Sequence, residues 1–123
     1  MNVVIWIVQG VLAVLFLGAG GTKLTQPDEK LVDRMTWIKT WPKGTSILVG
    51  TAEVVGALGL ILPAATKIAP VLTPIAASGL VVVMIGAVVT HTRAKEWGSV
   101  GFTVVLGALA LFVAITRFGA YAL

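Results

Sequence analysis

Four long apolar runs set the pattern of the chain: Val3 to Gly21, Thr45 to Leu62, Ile68 to Thr90, and Gly98 to Thr116. Each approaches the ~20 residues that a helix needs to cross a hydrocarbon layer of ~30 Å. The pattern therefore predicts four transmembrane helices. Between the first two runs the pattern changes. Leu31, Met35 and Ile38 recur at i, i+4 and i+7, with Lys30, Asp33 and Lys39 off that stripe. Thr25-Gln26-Pro27-Asp28 resembles a helix start, and Pro42-Lys43-Gly44 a stop. Asp28 to Thr40 is thus expected to form a short amphipathic helix on the membrane surface, with Trp37 and Trp41 at headgroup level.

The later connections are brief. Pro63 to Lys67 is expected to form a tight turn, which makes the second and third helices antiparallel neighbours. Pro74 is expected to kink or tilt the third helix near its start. Trp97, Arg117 and Tyr121 suit interface anchoring at the two ends of the fourth. The expected fold is an all-α integral membrane protein. It is a single domain over 1–123, an antiparallel four-helix transmembrane bundle with the interfacial helix between helices one and two.

Composition agrees. The chain is 58% hydrophobic and only 11% charged, against about a quarter charged in soluble domains. The first run is too long for a signal-peptide core and lacks a basic start, so it reads as a retained helix. Basic residues orient the bundle. Lys23, Lys30, Arg34, Lys39, Lys43, Arg93 and Lys95 lie on one side, and only Lys67 and Arg117 on the other. By the positive-inside rule, loops 22–44 and 91–97 are expected in the cytoplasm and both termini outside the cell membrane. These cations are too few and too tied to helix ends for nucleic-acid binding. Cysteine is absent, which excludes disulfide exchange by this chain alone and thiolate metal sites.

Glu53 carries the only charge inside any of the four runs. A carboxyl at membrane depth is a functional candidate by default, because hydrocarbon penalises it unless it is neutral or paired. Gly50, Gly56 and Ala57 share its face and allow close helix approach. Lys23 is the candidate cation. Glu53 lies more than two turns from the end of its run, so a direct bond requires the first helix to continue past Gly21, or the connection to dip inward. Gln9 is a second candidate partner, nearer in depth. His91, the lone histidine, closes the third run and has a side chain suited to proton transfer. One histidine and one glutamate make no recognised metal or haem site, so no metal and no resident cofactor is expected.

These residues carry a resemblance. Gly20-Gly21-Thr22-Lys23-Leu24 ends helix one, Gly50-Thr51-Ala52-Glu53-Val54-Val55-Gly56-Ala57 lies in helix two, and His91 closes helix three. With the length and four-helix layout, the chain resembles the DoxX family, specifically its short DoxX-like branch. The resemblance implies a small four-helix membrane bundle. It also implies association with quinone-linked or oxidative-stress oxidoreductase systems, with Lys23, Glu53 and His91 as the family-like polar residues.

Three functions fit this reading. The first is a subunit or scaffold of a membrane redox system, docking an oxidoreductase partner through Thr25 to Lys43. The second is a binder of a lipophilic molecule, such as a quinone or lipid, in a pocket around Glu53 and Lys23. The third is a small enzyme with Glu53 as acid or base and His91 as proton relay. Membrane lipids are expected partners. Ala52-x-x-x-Gly56 and Ala110-x-x-x-Ala114 are spaced for a homodimer contact.

Overall fold

The computed structural model describes residues 1–25 and 44–123. Among these residues four helices run in order: α1 (Asn2–Thr25), α2 (Thr45–Thr66), α3 (Leu72–Arg93) and α4 (Trp97–Phe118). All four are long and apolar enough to cross a membrane. No strand occurs among the described residues. The interfacial helix expected over Asp28 to Thr40 lies outside them. Large side chains such as Val3, Ile7, Leu48, Val82 and Ile115 face outward, as expected where the surrounding medium is lipid.

Successive helices are antiparallel neighbours, with α1 against α2, α2 against α3, and α3 against α4; α1 and α4 also meet, over a smaller contact. The end carrying the connections between α1 and α2 and between α3 and α4 is called the basic end, and the opposite one the terminal end. The core lies in the middle and terminal part. Leu12 and Phe16 of α1 meet Ala57 and Leu60 of α2, Leu80 and Met84 of α3, and Leu106 and Val113 of α4.

Helix limits differ from expectation in three places. α1 continues to Thr25, through Thr22 and Lys23. Thr22 and Thr25 donate their hydroxyls to the carbonyls of Gly18 and Gly21, at 2.8 and 2.7 Å, so both hydroxyls are satisfied within the helix. α2 runs through Pro63 to Thr66, so no turn begins at Pro63. Proline has no N–H for the carbonyl of Gly59 four residues earlier. The Thr73 hydroxyl of α3 donates to that carbonyl instead, at 3.0 Å. α3 begins at Leu72 rather than Ile68, because the turn occupies 67–71, with Lys67 and Ala69 at φ 60° and 46°. Pro74 is therefore the third helical residue, where a missing N–H has no helix partner to lose, and the grounds for a kink disappear.

Small residues set how closely the helices approach. A β-carbon on Gly20 would stand 2.7 Å from the carbonyl oxygen of Gly50. One on Gly56 would stand 2.7 Å from a Leu80 methyl, and one on Gly59 2.6 Å from the Ala76 β-carbon. The two flanks of Glu53 thus serve different neighbours, Gly50 facing α1 and Gly56 facing α3. Ala110 and Ala114 are buried inside the bundle, whereas Ala52 is exposed.

Candidate ligand-binding site

Lys23 and Glu53 meet directly, with Nζ donating to Oε1 at 2.6 Å, and both side chains are buried. Backbone geometry explains how. Gly20 crosses Gly50, which places the Lys23 β-carbon beside Gly50, less than one turn nearer the basic end than Glu53. Side chains lean toward their own helix N-terminus. α1 and α2 are antiparallel, so Lys23 leans into the bundle while Glu53 leans toward the basic end. The two converge, given the extra length of α1.

This pair forms the polar part of a cavity of about 530 Å³, lined by all four helices. The cavity lies between the core and the basic end. It exists because many of the facing positions are small: Ala19 on α1, Gly86 and Ala87 on α3, Ser99 on α4. Met84, Leu106 and Phe102 supply apolar walls. Leu48, Val82 and Phe102 line it while staying largely exposed, so its mouth reaches the outer face of the bundle. The hydroxyls of Thr90 and Thr103 also line it, but donate to the carbonyls of Gly86 and Ser99 on their own helices. Its other polar lining residues are Lys23, Thr45, Glu53, His91 and Ser99.

His91 also lines the cavity. Its Nδ1 lies 3.0 Å from Oε1 of Glu96. The α3 C-terminus builds that contact. Lys95 takes a left-handed conformation at φ 59°, and the N–H of Glu96 donates to the His91 carbonyl while that of Lys95 donates to Thr92. This six-to-one and five-to-two pattern folds Glu96 back over His91. Among the described residues, no hydrogen bond joins His91 to Glu53.

Gln9 stands apart, in the terminal half. Its Nε2 donates to the Leu60 carbonyl at 2.6 Å, and its Oε1 accepts from Nε of Arg117 at 2.8 Å. Arg117 is a correction to the sequence reading. It is only 2% exposed, and Nη1 donates to Asn2 Oδ1 and to the Tyr121 carbonyl. Its guanidinium also stacks 5.6 Å from the Trp6 ring centroid. It ties α4 to α1 instead of anchoring at the surface. Sequence reasoning also missed Phe102, Ser99 and Thr103 as cavity residues. Their half of α4 carries no charge to draw attention.

Among the described residues no group of three or more His, Cys, Asp or Glu is placed to hold a metal ion. The arrangement can instead hold an oxygen-bearing head at Lys23–Glu53 with an apolar body between the helices. Fold and cavity together define a small multi-pass membrane protein, a four-helix bundle with a polar pair inside. The chain belongs to the DoxX-like family, whose family model matches residues 7–113. The matched region contains Gln9, Lys23, Glu53 and His91 and ends before Arg117. No curated protein and no solved structure matches the chain significantly.

Proposed function

We propose that this protein binds a lipophilic small molecule within the membrane, holding its polar head at Lys23 and Glu53. The observation that carries this reading is the cavity of about 530 Å³ with a buried ion pair in its wall. Ligand sites are concave, largely apolar and furnished with a few placed polar groups, in volumes of about 300–1,000 Å³. A quinone or a membrane lipid meets that description. The mouth beside Phe102 offers entry from the lipid side.

Two other readings have less support. A subunit or scaffold of a quinone-linked or oxidative-stress redox system would dock through Thr25 to Lys43, most of which lies outside the described residues. An enzyme using Glu53 as acid or base with His91 as relay needs those two side chains in communication. Each bonds a different partner, Lys23 and Glu96 respectively.

The test is to purify the protein in lipid nanodiscs, extract the small molecules that remain bound, and identify them by mass spectrometry. Ala87→Phe, which adds bulk to the cavity wall without removing a charge, is the comparison. One lipophile class enriched in wild type and depleted several-fold in Ala87→Phe is the expected result. An identical lipid complement in both would overturn the reading.

A further inference from the structure

We infer that the ligand head is uncharged and carries a hydroxyl, so that the site selects neutral hydroxyl-bearing lipophiles over anionic ones. This rests on the binding reading above and adds the head-group chemistry.

Charge comes first. Among the described residues, Lys23 and Glu53 are the only acidic or basic side chains besides His91 that line the cavity. They already neutralise each other at 2.6 Å. A proton on His91 is matched by Glu96 at 3.0 Å. An anionic head entering this space would bring a net charge into a low-dielectric site where, among the described lining residues, no cation is left over for it. Unpaired charge at membrane depth is costly. A neutral head avoids that cost.

Hydrogen-bonding capacity comes second. An ammonium has three N–H donors, and among the described residues Lys23 makes one hydrogen bond, to Glu53. A carboxylate has two oxygens with about four acceptor positions, and Glu53 accepts at Oε1. Neither is otherwise engaged among the described residues, and both line the cavity. Among the described residues, an unused donor therefore sits beside an unused acceptor. A hydroxyl complements both at once, accepting from Lys23 and donating to Glu53. A carbonyl or an ether satisfies the lysine alone.

The probes are 1-hexadecanol, hexadecyl methyl ether and hexadecyl sulfate, which share a chain and differ in the head. Each pair is incorporated at equal mole fraction into nanodiscs holding the full chain, and the retained probe is quantified by mass spectrometry. Hexadecanol is expected to exceed hexadecyl sulfate by about tenfold or more, and the ether by several-fold. Glu53→Gln leaves Lys23 with an unbalanced positive charge, so the preference should shift toward the sulfate. If wild type retains alcohol and sulfate equally, or prefers the sulfate, the head-group inference is overturned while the binding reading stands. If wild type retains no probe above the level of Ala87→Phe, both fail together. The wild-type comparison is decisive whether or not Glu53→Gln folds.

Discussion

Lys23 and Glu53 are each tolerable in the bundle only because the other is there. Removing one member of a buried pair strands a charge, at a cost of about 3–5 kcal/mol, whereas replacing both by apolar residues is often neutral. Lys23→Met and Glu53→Leu should therefore each lower the unfolding midpoint in detergent strongly, and the double variant should recover most of the loss. Additive losses would show that the two do not act as a pair. Arg117 is held differently. Among the described residues it meets no carboxylate, only Gln9, Asn2, the Tyr121 carbonyl and the Trp6 ring, and its Nη2 has no hydrogen-bond partner. One cation thus supports the cavity wall and another fastens the terminal end of α1 to α4.

At the scale of elements, the α1–α2 crossing sets the geometry of the pair. A β-carbon on Gly50 would stand 2.8 Å from the Lys23 β-carbon and 3.0 Å from the Gly20 carbonyl. Gly50→Ala should push the helices apart and destabilise the bundle by about 1–3 kcal/mol, as overpacking does. Gly18→Ala meets nothing within 4 Å and should leave thermal stability unchanged or raised. Equal effects of the two would contradict the crossing. The small-residue face around Glu53 was legible as a face, because Gly50, Gly56 and Ala57 repeat at helical spacing. Which neighbour each residue would meet was not legible, since spacing along one helix carries no information about the next. The ends of α1 and α2 were obscured for a related reason. Gly-Gly-Thr-Lys and Pro63 read locally as stops, yet Thr22, Thr25 and Thr73 supply hydroxyls to the backbone carbonyls, and both helices continue. Arg117 at a helix end reads as a surface anchor because its partners, Asn2 and Gln9, lie at the far end of the sequence.

For the whole molecule, four membrane-length helices and the antiparallel order followed from hydropathy and short connections. The cavity did not, because a void is a property of four faces together. Its lining positions are individually ordinary small residues. The orientation expected from the basic residues, with both termini outside, is open to direct measurement since the chain has no cysteine of its own. Ala122→Cys should react with a membrane-impermeant maleimide in intact cells, and Lys95→Cys only after the membrane is opened; the reverse pattern would invert the bundle. The central claim is that a lipophile occupies the space beside Lys23 and Glu53. A neutral long-chain alcohol bearing a diazirine near its hydroxyl, photolysed with the protein in nanodiscs and mapped by peptide mass spectrometry, tests it most directly. The account predicts labelling concentrated on cavity residues such as Met84, Phe102 and Thr103, suppressed by Ala87→Phe. Labelling spread over lipid-facing residues such as Val55 and Val105, unchanged by that substitution, would contradict it.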